Sequence, residues 1–271
     1  MRVVLVLCDG VGDGVAREHM GYLEQLVEQG IAGRFVSRAT LPTMSRPNYE
    51  TIHTGLVPRV HGITGNGVVQ RSTSPNLFVL CSQAGLATAA VAYHWISELY
   101  HKAPFDRQTD SEYDDPTSSI NHGRFYDQDD HPDHEVIRGA LALSKRFAPD
   151  YLLVHPMGAD LAGHLHGGQS AAYRAAVGNQ DQLLAVAIPR WREAGCAVLV
   201  TADHGHVSEG GHGGPSDEER NVPLYAILPT DRISLETDEI IEHTQLAPTI
   251  CELLGLEIPG SMQAPPIKLW A

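Results

Sequence analysis

Residues 3–10 read Val-Val-Leu-Val-Leu-Cys-Asp-Gly, and this stretch decides the fold. An unbroken apolar run of this length, rich in β-branched side chains, is typical of a strand that is buried on both faces. The aspartate and the glycine mark the point where the strand ends. Strands of this kind belong to sheets that are mostly parallel and covered by helices on both sides.

Further apolar runs have the same character and lie at Thr88 to Tyr93, Tyr151 to Val154, Ala197 to Ala202, and Leu224 to Leu228. Helical periodicity predicts helices over Tyr22 to Gln29, Glu135 to Phe147, Ser170 to Ala194 with a kink at Pro189, and Gln245 to Leu254. We therefore predict an α/β fold: a three-layer sandwich with a central, mostly parallel sheet between two layers of helices.

Composition limits the classes of partner. With 271 residues, of which 42% are hydrophobic, the chain is expected to form one domain over residues 1–271. A formal charge of −14 disfavours nucleic-acid polymers and anionic membranes. No apolar stretch approaches the roughly 20 residues of a membrane span. Four isolated cysteines resemble reduced core residues, so we expect a cytoplasmic protein. The sequence does not predict the oligomeric state.

The segment at about 101–133 differs from the rest of the chain. It is rich in Asp, Ser, Gly and Pro and has little periodicity. It is predicted to be either a solvated loop or a lid over the functional site.

Potential metal ligands directly follow two of the predicted strands. Asp9 follows the first strand, and Asp203 and His204 follow the strand that ends at Ala202. Functional sites in open α/β sheets form at the carboxyl ends of the strands. Each residue alone is as consistent with a turn or a helix cap, but the three together favour a site.

Two more motifs extend this set. Asp160 and His164 form the pattern D-x-x-G-H, whose spacing of four places both side chains on one side of a helical turn. His212 lies in a glycine-rich loop, residues 208–214, shortly after His204. Imidazole and carboxylate ligands without a thiolate set are typical of catalytic metal sites. Six such ligands suffice for two open three-ligand sites, which predicts two divalent metal ions, zinc or alternatively manganese. The unusual number of histidines, 15, supports a metal protein.

A nucleophile is available in the run Pro42-Thr43-Met44-Ser45-Arg46-Pro47-Asn48. Ser45 is placed like the N-cap of a helix that ends at Gly55, and helix-terminal amides would face an incoming phosphate. A serine hydroxyl needs an activator, and coordination to a metal supplies one. The alternative is that Ser45 only caps the helix.

These motifs resemble the alkaline phosphatase superfamily, in particular its nucleotide pyrophosphatase/phosphodiesterase branch. The resemblance rests on Asp9-Gly10, the Ser45 run, Thr54-Gly55 with His61-Gly62-Ile63, Asp160 to His164, Asp203-His204-Gly205, and His212-Gly213, all in the order of that family. It implies that Asp160, His164 and His212 bind one zinc ion, while Asp9, Asp203 and His204 bind the other. It also implies that Ser45 Oγ reaches the metals and forms a phospho-serine intermediate, and that Asn48 hydrogen-bonds a phosphate oxygen.

The resemblance implies a hydrolase of phosphodiester or pyrophosphate bonds, acting on a small phosphate ester or nucleotide-like substrate. Its phosphodiesterase branch more often has threonine at the position of Ser45, and serine is shared with phosphatase and mutase relatives. A phosphomonoesterase or a phosphomutase-like phosphotransferase is therefore the main alternative. Asn48-Tyr49 breaks the sulfatase signature, which disfavours a sulfate hydrolase. A phosphonate hydrolase and an inactive metal-binding relative are the remaining alternatives.

Some nearby residues have two interpretations. His206 and Glu209 lie between predicted ligands and either orient a ligand imidazole or belong to a solvated loop. The remaining histidines are predicted to be structural, with His155 and His166 the best candidates for a role at the site.

Overall fold

The computed structural model describes residues 1–229 and 236–269. Its strands are β1 (Arg2–Leu7), β2 (Ala32–Arg38), β3 (Thr88–Tyr93), β4 (Glu112–Asp114), β5 (His122–Tyr126), β6 (Tyr151–Val154), β7 (Cys196–Thr201), β8 (Asn221–Ile227) and β9 (Glu236–Glu242). Its α-helices are α1 (Asp13–His19), α2 (Gly21–Glu28), α3 (Ser45–Thr54), α4 (Pro58–His61), α5 (Leu77–Gln83), α6 (His94–Tyr100), α7 (Arg107–Asp110), α8 (Asp133–Phe147), α9 (Gly158–His166), α10 (Ala171–Glu193), α11 (Asp217–Arg220) and α12 (Leu246–Leu254).

The strands form one mixed sheet in the order β4-β5-β3-β6-β1-β7-β8-β2-β9. The pairs from β5 to β7 are all parallel, and β2 pairs with β9 in parallel. The pairs β4-β5, β7-β8 and β8-β2 are antiparallel. This confirms the predicted mostly parallel sheet, and the five predicted strands and four predicted helices are present.

Two hydrophobic cores lie on opposite faces of the sheet, as alternation along β1 shows. Val3, Leu5 and Leu7 belong to one core, whereas Val4 and Val6 belong to the other. Helices α3, α5, α6 and α12 pack on the first face, and α1, α2, α8 and α10 pack on the second. The three-layer sandwich follows directly, because each strand must bury both of its faces.

The segment 101–133 is only partly the loop that was predicted. The short elements α7, β4 and β5 form about a third of it, and β5 extends the sheet by pairing with β3. A role of this segment as a lid stays a prediction. Its strands are short and flanked by polar residues, so their periodicity is weak, although Phe125 and Tyr126 are buried. Within the described residues, no helix is long and apolar enough to cross a membrane.

Candidate active site

Three neighbouring strands deliver most of the predicted ligands to one edge of the sheet. Strand β1 lies between β6 and β7, and all three run parallel. Asp9 follows β1, Asp203 and His204 follow β7, and α9 with Asp160 and His164 follows β6. Because parallel strands end at the same edge, residues far apart in the chain converge there.

The side chains meet in two groups that match the predicted sets. One group contains Asp160, His164 and His212, and the other contains Asp9, Asp203 and His204; in each, the potential ligand atoms lie within 4.8 Å of one another. Asp160 Oδ1 is 3.5 Å from His164 Nε2, as their spacing along α9 requires. That these groups bind metal stays a prediction.

The imidazoles of His204 and His212 present lone pairs to these groups. His212 Nδ1 lies 2.8 Å from Thr43 O, and His204 Nδ1 lies 3.2 Å from Gly205 O. A carbonyl only accepts, so each Nδ1 donates and each Nε2 of the neutral ring keeps its lone pair. Burial, which is the main cause, and neighbouring imidazoles lower the pKa of His204 well below its ordinary value, which favours this neutral form.

These lone pairs face other electron-rich atoms. His204 Nε2 is 3.3 Å from Asp203 Oδ2 and 3.6 Å from Asp9 Oδ1. Both oxygens are buried, and neither has a hydrogen-bond partner among the described residues. Buried carboxylate oxygens normally have partners. A divalent cation between them would satisfy all three atoms, so the donor set fits a metal.

Asp9 is fixed by two donors. Tyr49 OH and His155 Nε2 both bond Asp9 Oδ2, the latter at 2.9 Å. His155 Nδ1 accepts from Tyr93 N at 3.3 Å, so its Nε2 carries the hydrogen. Oδ2 is thereby occupied and Oδ1 remains for a cation. His155 thus has a role at the site, and Tyr49 was missed because an aromatic residue within a buried helix resembles core.

Burial and neighbouring charges act on the pKa values of the three carboxyl groups at this site. Burial and the charge of Asp9 raise the pKa of Asp160 to about 7. The same two causes, together with the charge of Asp160, raise the pKa of Asp203 well above its ordinary value. Burial alone would also raise the pKa of Asp9, but the hydrogen bond and charge of His155 lower it below its ordinary value. A positive charge beside these three carboxyl groups would therefore be stabilised.

Ser45 lies at the meeting point of the two groups. Its Oγ is 3.1 Å from His204 Nε2, and the ring of His204 stacks on that of His212 with centroids 3.7 Å apart. The N-cap of α3 is Met44, and Ser45 is the first helical residue. Ser45 is thus not the helix cap, contrary to the sequence-based alternative, and its hydroxyl points toward the ligands.

The structure does not place Asn48 as predicted. Its Oδ1 accepts from Thr40 N at 2.9 Å, and its Nδ2 donates to the carbonyl oxygens of Thr40, Pro42 and Met44 at 3.0–3.3 Å. The side chain is fully buried. Asn48 therefore braces the loop that carries Ser45, because the hydrogens of its amide are already used.

Asn66 is a polar residue beside Ser45 that the sequence analysis missed. Its Oδ1 accepts from Arg46 N, at the start of α3, at 3.1 Å. Within residues 1–229 and 236–269, its Nδ2 makes no hydrogen bond, and the side chain is only partly buried. His206 also belongs to the site, because its Nε2 lies 2.9 Å from Asp160 Oδ1. Glu209 and His166 are exposed.

Comparisons with known proteins agree with this fold. Murine ectonucleotide pyrophosphatase / phosphodiesterase 5 superimposes with a TM-score of 0.70 at 14% identity, covering 96% of each chain. The phosphonate monoester hydrolase of Silicibacter pomeroyi gives a TM-score of 0.68 at 15% identity, covering 98% of this chain and 76% of the other. The architecture is that of the alkaline phosphatase superfamily.

The family model of type I phosphodiesterase / nucleotide pyrophosphatase matches residues 3–249, and the chain belongs to this family. Human GPI ethanolamine phosphate transferase 2, catalytic subunit, is 29% identical over 98% of this chain. This chain spans 28% of that relative's length. A 2,3-bisphosphoglycerate-independent phosphoglycerate mutase of Vibrio parahaemolyticus is 30% identical over 47% of this chain and 25% of its own length. The family comprises phosphoesterases and phosphotransferases.

Proposed function

We propose that the chain is a metal-dependent hydrolase that cleaves phosphodiester or pyrophosphate bonds through a phospho-serine intermediate on Ser45. The observation that carries the proposal is the 3.1 Å contact between Ser45 Oγ and His204 Nε2, beside two groups of potential ligands. The substrate class is a small phosphate ester or a nucleotide-like molecule. A cytoplasmic location and the absence of membrane binding stay predictions.

The six predicted ligands would hold two divalent cations, zinc or manganese. Asp160, His164 and His212 would form one centre, and Asp9, Asp203 and His204 the other. When bound, the cations lower the pKa of the serine hydroxyl and neutralise phosphate oxygens. They also offset the −14 charge of the chain near an anionic substrate.

In the first step Ser45 Oγ attacks phosphorus in line with the leaving group. The Oγ–P bond forms, the P–O bond to the leaving group breaks, and the hydroxyl proton passes through solvent to the departing oxygen. The backbone N–H of Ser45, at the start of α3, would stabilise the developing charge of the phosphate, since Arg46 N already donates to Asn66 and Pro47 has no N–H. Buried Tyr49 and His155 hold Asp9 in place meanwhile.

In the second step water attacks the phosphorus of phospho-serine. The new P–O bond forms as the Oγ–P bond breaks, one proton of the water returns to Ser45 Oγ, and a phosphomonoester is released. The loop that presents Ser45 stays fixed through both steps, because Asn48 bonds three of its carbonyl groups.

Transfer to an alcohol instead of water is a second candidate function. The human relative that covers 98% of this chain is named a phosphate transferase, which favours this alternative. The first step would be unchanged, and an acceptor hydroxyl would then attack phospho-serine to give a new diester.

Purified protein with added zinc or manganese tests the proposal on aryl esters. We expect faster cleavage of an aryl phosphodiester than of the matching monoester, and Ser45→Ala should abolish it. Ser82→Ala, an exposed serine on α5, is the control and should retain activity. An equal rate or a preference for the monoester would overturn the diesterase proposal and favour a phosphomonoesterase.

The transferase alternative is distinguished by product analysis. Added ethanolamine, an amino alcohol, should leave the product a phosphomonoester if the chain is a hydrolase. Accumulation of a new diester in proportion to the alcohol concentration would establish transfer. Stoichiometric metal binding without turnover of any ester would identify an inactive relative.

A further inference from the structure

Two glycines clear the space that the imidazole of His206 occupies. A Cβ on Gly163 would lie 2.6–2.8 Å from ring atoms of His206, and one on Gly10 would lie 2.9 Å from His206 Nε2. Real Cβ atoms do not approach so closely, so the segment after β1 and helix α9 both leave room for this side chain.

The ring is also fixed in direction. His206 Nε2 lies 2.9 Å from Asp160 Oδ1, and His206 is only 5% exposed. A carboxylate only accepts, so Nε2 carries the hydrogen and donates it. The ring of Tyr173 contacts the imidazole edge to face at 5.7 Å, and Tyr173 OH is itself anchored by donating to Gly10 O at 2.6 Å.

We propose that His206 is the positioning residue of the Asp160 centre: its Nε2–H holds the Asp160 carboxylate in the orientation that the cation of that centre requires. The inference rests on the metal centres of the proposed function. Asp160 and His164 lie on α9, which follows β6, whereas His212 lies in the loop after β7. The χ angles of Asp160 therefore decide whether its oxygens meet the imidazoles of His164 and His212.

Packing alone does not explain this arrangement. A residue that only filled the space would not need a donor on a buried carboxylate, and each of the two glycines costs additional backbone entropy on folding. Among the described residues, Asp160, His204 and His206 form another group of mutually close ligand atoms. That group shares Asp160 and His204 with the two predicted centres, so direct ligation by His206 would compete with both.

Metal affinity in the absence of substrate tests the inference. Partners that orient a metal ligand typically contribute about 10–100-fold in affinity. His206→Met keeps an unbranched side chain of similar volume but has no donor, and we expect it to weaken one of two zinc equivalents by roughly that factor. His206→Gln places an amide N–H near the position of Nε2 and should restore most of the affinity. The titration is followed by competition with a chromogenic zinc chelator.

The controls separate positioning from a general loss of structure. His166→Gln changes an exposed histidine of α9 and should bind both equivalents as the natural protein does. Thermal unfolding of the metal-free His206 variants shows whether they fold. A structural defect would weaken both equivalents together, whereas loss of positioning weakens one.

Two results would overturn the inference while the proposed function stands. One is unchanged affinity in His206→Met; the other is equal weakening in His206→Met and His206→Gln, which would make the imidazole itself a ligand. If the natural protein binds no metal, the proposed centres fail and the inference fails with them. If metal binding depends on His206 as expected but no diester is cleaved, only the proposed reaction fails.

Discussion

Asn48 and Asn66 both bond the backbone next to Ser45, but their free groups differ. Asn48 uses its amide on the loop at 40–44 and on His243, whereas Asn66 uses Oδ1 on Arg46 N and keeps Nδ2 available. We expect Asn66→Ala to lower kcat/KM for a phosphodiester by about 10²-fold, as loss of one donor to transition-state charge does. Its unfolding free energy should stay near that of the natural protein.

Asn48→Ala is the matched comparison. It leaves buried groups of the loop without partners, so it should lower the unfolding free energy by about 3 kcal/mol, measured by denaturant titration. If Asn66→Ala destabilised the protein as much, or if its kcat/KM stayed unchanged, a substrate-binding role for Asn66 would be excluded.

This pair also shows what sequence could not predict at this scale. Asn48 was chosen because it lies close to Ser45 in the chain. Chain distance does not fix the direction of a short amide, and here a buried helix turns Asn48 toward its own loop. Asn66 reaches the same helix from a separate loop, through a contact that only the fold creates.

Glu50 gives the protein a measurable pH dependence. Burial raises the pKa of Glu50 from 4.5 to about 7, despite hydrogen bonds from Ser72 and Tyr100. The folded state thus favours the protonated acid. Glu50 therefore lowers the free energy of unfolding progressively as the pH rises from about 4.5 to about 7. At pH 8 the raised pKa corresponds to a loss of about 3 kcal/mol in the free energy of unfolding.

Glu50→Gln should therefore be more stable than the natural protein at pH 8, by up to about 3 kcal/mol, and similar to it at pH 4.5. Denaturant titrations at a series of pH values measure the difference. A constant difference between pH 4.5 and pH 8 would show that Glu50 does not titrate with a raised pKa.

Among the elements, α9 depends on a carboxylate outside it. Asp133 Oδ1 accepts from Gly158 N at 3.0 Å, and its Oδ2 accepts from Gln180 Nε2 at 3.0 Å. The bond to the first residue of α9 fixes the start of the helix that carries Asp160 and His164. Strand β6 ends four residues before α9 begins, so Asp133 helps to fix the helix in space.

Asp133→Ala should lower the unfolding free energy by about 1–3 kcal/mol and weaken the Asp160 metal centre, because α9 loses this anchor. Asp133→Asn keeps an acceptor for Gly158 N. A flip of the Gln180 amide would turn its Oε1, which has no hydrogen-bond partner in the described part of the chain, toward the new N–H, so the effect should be smaller. Asp130→Ala, an exposed neighbour, is the control. Equal metal affinity in Asp133→Ala and the control would show that the anchor does not matter to the site.

Strands with an unbroken apolar run were predictable, and strands whose apolar pattern is interrupted were not. β1 and β7 are apolar on both faces, which is the pattern of a central strand. β2 was missed because Arg34, Ser37 and Arg38 interrupt its apolar pattern, although Arg34 is buried by ion pairs with Asp13 and Glu24. Ion pairs with residues elsewhere in the fold thus allow a polar side chain to be buried within a strand.

At the scale of the whole molecule, the fold gathers like charges at one sheet edge at a cost to its own stability. Asp9, Asp160 and Asp203 come from three chain segments, and their mutual repulsion helps to raise the pKa of two of them. The sequence predicted which residues converge, because the ends of neighbouring parallel strands must. It could not predict that two oxygens would be left without partners, since that depends on side-chain orientation.

Bound cations should therefore stabilise the folded protein. A ligand that binds only the folded state at 100 times its Kd adds about 2.7 kcal/mol to the unfolding free energy. We expect the Tm of the metal-free protein to rise as zinc is added and to fall again with a chelator. Asp203→Asn changes this pattern, because it removes one of the crowded charges and one predicted ligand together.

Metal-free Asp203→Asn should be more stable than the metal-free natural protein at pH 8. Its oxygen can still accept from Gly10 N, and its new N–H can donate to the lone pair of His204 Nε2. With zinc the order should reverse, since the natural protein gains from two centres and the variant from one. Asp130→Asn changes an exposed carboxylate that is not among the predicted ligands, and it should follow the natural protein in both conditions. The Tm of each protein is measured with and without zinc. If Asp203→Asn had the lower Tm in both conditions, repulsion among the carboxylates at this edge would not be a destabilising effect that metal binding removes.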